Sequence, residues 1–177
     1  MISVLKIGHR PERDKRITTH CALVARAFGC SEFVYTGKRD PALEESVARV
    51  SERWGGEFRV RYSNSWRREI SNFPGLRVHL TMYGVPFESE LRRLKGNVLL
   101  VVGGEKVPRE VFELADLNLS VTSQPHSEVG ALAVVLYAVN GTDHDFPNAK
   151  LRIVPSPKGK VVRPGEGSRS REAEGSR

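Results

Sequence analysis

Val98-Leu99-Leu100-Val101-Val102 is an unbroken apolar run that closes on Gly103-Gly104. No polar residue alternates in it, so other parts of the chain must cover both of its faces. That is the pattern of a central strand in a parallel sheet. The two glycines add a second constraint, because a residue without Cβ lets backbone N–H and C=O groups approach a ligand closely. Leu117-Asn118-Leu119-Ser120-Val121 reads as another strand, and the turn at its end, Gln124-Pro125-His126-Ser127-Glu128, opens a helix. In open α/β sheets, strand-end loops that face one crevice hold the ligands. These two loops are therefore a binding site by position.

The rest of the chain alternates in the same way. Val4–Ile7 is a predicted strand, and Thr18 or Thr19 can cap a helix carrying Leu23, Val24, Ala27 and Phe28 inward, ended by Gly29. Phe33–Tyr35 is a second strand. Asp40-Pro41 supplies an N-cap and a proline at the first helical position, followed by Leu43, Val47, Val50 and Trp54 at helical spacing and by the stop Gly55-Gly56. Phe58–Tyr62 and Leu76–Met82 are further strands, the latter ending in Tyr83-Gly84. Ser65–Ser71, Pro86–Leu94, Pro108–Ala115 and Ser127–Val139 are helical. The fold class is α/β, a parallel sheet with helices on both faces. Leu151–Val154 and Lys160–Arg163 flank Pro155–Gly159 as a β-hairpin with a five-residue loop. Beyond Pro164 the only apolar side chain is Ala173, too little to offset ordering entropy, so the tail over 164–177 is expected to be disordered. The chain thus divides into a domain over 1–148, a hairpin over 149–163 and a tail over 164–177.

The chain has 177 residues, 39% of them hydrophobic, enough for one domain with a sizeable core. Its 28 Lys and Arg against 21 Asp and Glu leave a net charge of +7, which favours an anionic partner, nucleic acid first. The basic residues gather at Arg10–Arg16, at Trp66-Arg67-Arg68 and at Arg92-Arg93 with Lys95. The two cysteines, Cys21 and Cys30, lack C-x-x-C spacing and read as apolar core residues in a reducing compartment. No stretch reaches the ~18 apolar residues of a membrane span, and the N-terminal run is too short for a signal peptide. A soluble, cytoplasmic protein is expected. There is no G-x-G-x-x-G, and Thr36-Gly37-Lys38 lacks the upstream glycine of a P-loop. The five histidines show no ligand spacing, so no metal is expected.

The segment Ile7-Gly8-His9-Arg10-Pro11-Glu12-Arg13-Asp14-Lys15-Arg16-Ile17-Thr18-Thr19-His20, with Ala25-Arg26-Ala27-Phe28-Gly29, resembles the start of the archaeal tRNA (cytidine 56)-2′-O-methyltransferases. His79-Leu80-Thr81-Met82-Tyr83-Gly84, Gly103–Pro108 and Asn118–Glu128 are similar to that family's later motifs. The likeness covers about residues 4 to 162. It implies a SPOUT-type α/β knot fold with a deep C-terminal trefoil knot and an extra C-terminal β-hairpin, which fits the hairpin read above. It also implies a homodimer, S-adenosyl-L-methionine as methyl donor and the T-loop of tRNA as substrate. By the same resemblance the donor is held by Leu80, by Gly103, Gly104, Glu105, Lys106 and Val107, and by Val121, Thr122, Ser123, Gln124, Pro125, His126, Ser127 and Glu128.

The reaction implied is in-line attack of a ribose 2′-hydroxyl on a methyl group, which needs a donor cleft, an aligned hydroxyl and a way to raise its nucleophilicity. Related enzymes assign catalysis to an arginine of the first motif. The candidates here are Arg16 first, then Arg10 and Arg13, with Arg26 behind them. An arginine stays protonated, so its role is to clamp a phosphate and stabilise the developing alkoxide. His20 is a candidate proton acceptor and His126 a candidate partner of the donor loop. Trp66 could stack on a base beside phosphate-binding Arg67 and Arg68. A methyltransferase of this class acting on a base nitrogen or another RNA, or an RNA-binding protein that keeps the fold without turnover, would share the same architecture.

Overall fold

The structure, a computed structural model, describes residues 1–104 and 106–171. Strands β1 (Ile2–His9), β2 (Glu32–Gly37), β3 (Arg59–Tyr62), β4 (Leu76–Pro86), β5 (Val98–Gly103) and β6 (Leu117–Ser120) form one sheet in the order β3-β2-β1-β5-β4-β6. Every pairing is parallel. Parallel neighbours need crossovers, here supplied by α1 (Pro11–Ala27), α2 (Pro41–Trp54), α3 (Trp66–Ser71), the 3-10 helix Phe87–Arg93 between β4 and β5, and α4 (Arg109–Leu114), while α5 (Glu128–Asn140) follows the last strand.

The apolar run of β5 is buried from end to end. Leu100 and Val102 pack with Ala22, Ala25, Leu43, Leu132 and Leu136 under α1, α2 and α5, while Leu99 and Val101 pack with Ile70 and Val111 under α3 and α4. Covering five such side chains contributes on the order of 10 kcal/mol of gross burial energy. Asp40 caps α2 as its sequence position requires, its Oδ1 accepting from Leu43 N–H at 3.2 Å. Cys21 and Cys30 are buried free thiols, and burial pushes both pKa values up to about 12. They are core residues, inert as nucleophiles.

Several boundaries differ from the sequence reading. Helix α1 starts at Pro11 rather than after Thr18. Proline at the first position loses no needed N–H, and Glu12 and Asp14 match the positive end of the helix. Its buried face is Thr18, Cys21, Ala22 and Ala25; Leu23, Val24 and Phe28 are only partly buried, and Ala27 is exposed. Strand β4 continues past Tyr83 to Pro86 through an irregularity between Leu80 and Val85, and Phe87–Arg93 is a 3-10 helix. Strands β7 (Leu151–Val154) and β8 (Val161–Pro164) form the expected antiparallel hairpin, with a six-residue loop instead of five. Disorder from residue 164 is also corrected. Gly165 N–H donates to the Lys150 carbonyl at 2.9 Å and Gly167 N–H to that of Ala149 at 3.0 Å, and Glu166–Arg171 is a 3-10 helix. A Cβ on either glycine would collide with this backbone, so the pairing depends on glycine and needs no apolar side chain. Residues 172–177 lie outside the described residues.

The hairpin is tied to the C-terminus of α2 through Lys150 N–H to the Arg53 carbonyl and Gly56 N–H to that of Pro147. Helix α5 leaves edge strand β6 yet returns across the sheet to lie against α1. That path is compatible with the knot implied by the resemblance.

Candidate active site

All six strands point the same way, so their C-terminal ends share one edge of the sheet, and the cleft opens there. It has a volume of about 650 Å³ and is lined by His79, Leu80, Thr81, Met82 and Tyr83 of β4, by Gly103, Gly104, Lys106, Val107 and Phe112 around β5 and α4, and by His126, Glu128 and Ala131 at the start of α5. The irregularity in β4 makes the first wall. There Gly84 lies so close to the Asn118–Leu119 backbone that any Cβ would strike it. Bulges next to a site commonly re-aim side chains in this way.

Seven predicted donor-binding residues come together in this cleft: Leu80, Gly103, Gly104, Lys106, Val107, His126 and Glu128. Gly103 and Gly104 have different reasons to be glycine. A Cβ on Gly103 would run into the Val107 side chain, whereas one on Gly104 would meet only Lys6 Nζ at 3.9 Å. Gly104 therefore leaves space that the fold does not need. Val121 is half-buried against the core. Thr122, Ser123, Gln124, Pro125 and Ser127 are exposed and lie outside the cleft lining. Ser127 instead caps α5, accepting from Gly130 N–H at 3.2 Å, and His126 Nδ1 lies 2.7 Å from the Gln124 carbonyl. Glu105 lies outside the described residues.

Lys6 is the residue that sequence reading missed. It sits in the middle of β1, 1% exposed, with Nζ 3.1 Å from Glu128 Oε1 and donating to the Ile7 carbonyl at 3.3 Å. The available signal was a lysine in an otherwise apolar inner strand, since buried charge persists only when paired. His79 was also passed over, although it stands next to Leu80 in a quoted motif. Asn118 Nδ2 donates to the Phe112 carbonyl at 3.0 Å, so Asn118 Oδ1 accepts from His79 Nδ1–H at 2.9 Å. The remaining ring nitrogen, Nε2, is then an acceptor. Burial is the main cause that holds the His79 pKa below its usual 6.5, and the ring stays neutral near pH 7.

His9, at the end of β1, is fully buried. Its Nδ1 meets Thr18 Oγ1 at 2.9 Å and its Nε2 stands 3.5 Å from Asp40 Oδ2. Burial outweighs the attraction of Asp40 and lowers its pKa as well. Because both imidazoles titrate below 6.5 in the fold, the unfolded chain binds more protons as pH falls below that value, and stability is lost. Urea unfolding at pH 7, 6 and 5 should show a decline of at most about 1.4 kcal/mol per pH unit for each histidine. His79→Gln should flatten it. A stability that rises on acidification would contradict these assignments.

A sequence profile described as tRNA ribose 2′-O-methyltransferase, aTrm56, matches residues 54–163. The chain is 53% identical over 165 residues to the tRNA (cytidine(56)-2′-O)-methyltransferase of Archaeoglobus fulgidus, covering 91% of this chain and 97% of that protein. It is 47% identical over 171 residues to the enzyme of that name from Pyrococcus horikoshii, covering 92% and 84%. The chain belongs to this family. Similar solved structures include the TrmH/SpoU tRNA modifying enzyme of A. aeolicus, with TM-score 0.57, 14% identity and coverage of 78% of this chain and 73% of that one. The SpoU methyltransferase AviRb from Streptomyces viridochromogenes, in complex with AdoMet, gives TM-score 0.56 at 14% identity and covers 78% and 58%. These distant likenesses establish the SpoU/TrmH methyltransferase fold.

The family's first motif sits beside the cleft without lining it. Ile7 pairs with Gly103 across β1 and β5, so the motif begins at the same sheet edge as the cleft, while Gly8 and His9 bond to the end of β2. Arg10 is half-exposed and ion-paired to Asp14 at 2.7 Å, holding that carboxylate below its usual range. Arg13 and Arg16 are exposed on α1. Arg16 lies about 9 Å further along the helix axis than Arg10, on the side away from Thr18 and Cys21. Arg10, Arg13 and Arg16 are absent from the cleft lining. Arg26 is buried far along α1, donating to Ser51 Oγ at 3.1 Å and the Gly55 carbonyl at 2.5 Å, and is a structural residue. His20 is exposed. Trp66 is half-buried against the second core cluster, with Arg67 stacked 4.6 Å from its ring centre and ion-paired to Glu110. Of that basic group, Arg68 is the exposed cation with no ion pair among the described residues.

Proposed function

We propose that this protein transfers the methyl group of S-adenosyl-L-methionine to the 2′-oxygen of cytidine 56 in the T-loop of tRNA, as a cytoplasmic homodimer. The observation that carries the reading is the cleft itself: the glycine loop after β5 and the first turn of α5 meet at one edge of the sheet, in a family of enzymes with this activity.

The residues fit the donor. About 650 Å³ lies within the ~300–1,000 Å³ of small-molecule sites. Leu80, Met82, Val107 and Ala131 offer apolar surface for a purine, and the open flank of Gly104 admits close approach. Glu128, fixed by Lys6, is a carboxylate suited to a cationic group, and His79 Nε2 accepts from an amino or hydroxyl group. Thr122, Ser123, Gln124, Pro125 and Ser127 would close over the donor from the exposed β6–α5 loop. When bound, the donor supplies an electrophilic methyl on sulfur. The chain's part is to hold the ribose hydroxyl in line and to neutralise charge as its proton leaves. Arg16, Arg10 and Arg13 would clamp the flanking phosphates, Arg16 from its solvent-facing position.

Dimerisation is supported by apolar surface on the adjoining helices α1 and α5: Tyr137 is 63% exposed, Val134 46% and Ile17 39%. The path of α5 supports the trefoil knot. The test is incubation with labelled donor and an unmodified tRNA transcript, alongside one carrying 2′-deoxycytidine at position 56. Label should enter the first at that nucleotide and be absent from the second. Equal labelling of both at that position would reject ribose chemistry.

A further inference from the structure

The C-terminal hairpin is a cationic arm whose charge nothing in the cleft requires. Residues 149–165 contain Lys150, Arg152, Lys158, Lys160 and Arg163 and no acidic residue. Lys150 is paired to Glu52 at 2.5 Å and Arg152 loosely to Glu166 at 3.6 Å. Lys158, Lys160 and Arg163 are exposed and make no ion pair among the described residues.

The register sharpens this. Arg152 stands directly opposite Arg163 in the antiparallel pair β7–β8. Like charges in that position destabilise a sheet unless an anion lies between them. A two-stranded ribbon is also marginal by itself, and this one exposes Ile153 (68%) and Val161 (37%) to solvent. The fold nevertheless secures it, through the Lys150–Arg53 and Gly165–Lys150 backbone bonds. The loop between its strands, 155–160, exposes Lys158 and Lys160 on either side of Gly159 and after Pro155 and Pro157. Glu166 offsets Arg152 only loosely, at 3.6 Å, and the ribbon has no carboxylate of its own, so a polyanion would neutralise the remaining repulsion.

The arm also lies away from the donor cleft. It hangs from the C-terminus of α2, where the chain turns into the N-terminal end of β3, whereas the cleft lies at the C-terminal ends of β4 and β5. A six-residue strand is about 20 Å long, so a ligand touching both must be a macromolecule.

We propose that the β7–β8 hairpin is a second RNA-contact surface. Lys158, Lys160, Arg163 and Arg152 on it would grip the phosphate backbone of the tRNA at a point remote from the methylated nucleotide. The inference rests on tRNA being the substrate, but its test reads binding and does not need methyl transfer. Contacts of this kind carry no base readout; they set affinity, register and salt dependence.

The experiment compares the full chain with Lys158→Gln/Lys160→Gln/Arg163→Gln, titrating each into fluorescent tRNA over a range of salt. Losing three phosphate contacts should make the slope of log affinity against log salt shallower by about 2 to 3, so that a fourfold rise in salt costs the parent roughly 40-fold more affinity than the variant. In methylation assays the change should fall on KM for tRNA rather than on kcat. A second variant confined to the loop, Lys158→Glu/Lys160→Glu, leaves the strands intact and should weaken binding further with an unchanged circular dichroism melt. Unaltered affinity and salt slope in both variants would overturn the proposal. So would a loss seen only for vesicles containing phosphatidylserine, which would make the arm a membrane contact. If the variants lose tRNA affinity while no methylation of cytidine 56 is found in the parent, the hairpin stands and the assigned reaction falls.

Discussion

Glu128→Gln should destabilise the protein by about 3 kcal/mol, because it strands a buried ammonium without its partner. Lys6 is 1% exposed, and beyond Glu128 its ammonium has one hydrogen bond, to the Ile7 carbonyl at 3.3 Å, so a neutral amide leaves the charge poorly compensated. In a chain of this size that loss lowers the thermal midpoint by about 6 to 12 °C. The double change Lys6→Met/Glu128→Leu removes both charges and should recover most of the stability, since an apolar pair of similar volume avoids the desolvation penalty. It should not recover donor affinity, because the cleft has then lost its anchored carboxylate. Calorimetry for unfolding and titration with S-adenosyl-L-methionine separate the two effects. If the double variant bound the donor as the parent does, the Lys6–Glu128 pair would be purely structural.

The second large effect is expected at Gly104, with the opposite signature. Its φ does not lie in the left-handed region, and a Cβ there meets only Lys6 Nζ at 3.9 Å. Gly104→Leu should therefore fold with a stability within about 1 kcal/mol of the parent. Its side chain would occupy cleft volume that a small ligand needs, and donor affinity should fall by about 100-fold or more, equivalent to ~3 kcal/mol. Gly103→Ala is the contrasting control, since its new methyl meets Val107 and the fold itself must give. Normal donor binding by Gly104→Leu would place the donor elsewhere than against this glycine.

Much of the architecture can be read along the chain. The β5 run, the Asp40-Pro41 start of α2 and the Gly55-Gly56 stop depend on local chemistry, and the structure bears them out. The start of α1 is hidden by the density of charge over Arg10–Arg16, although the helix carries most of those charges on its solvent side and folds Asp14 beneath Arg10. The continuation of β4 to Pro86 and the docking of Gly165 and Gly167 were equally hidden. Both are made by backbone pairing with distant residues, which leaves no pattern in side-chain type.

The candidate site divides along the same line. The glycine pair and the turn into α5 were identifiable because a missing Cβ and a helix cap are local properties of the residues concerned. That Lys6 would find Glu128, and that Asn118 would settle which nitrogen of His79 accepts, depended on three strands and a helix being brought side by side. By itself the sequence determined a parallel α/β sheet, the two loops at its strand ends that are the candidate site and a basic surface, since apolar periodicity, glycine and net charge act where they are written. Which charges are buried, which are paired and which remain open to a polyanion was decided only by the tertiary structure. Desolvation and Coulomb attraction act through space, between residues whose separation along the chain says nothing of their distance.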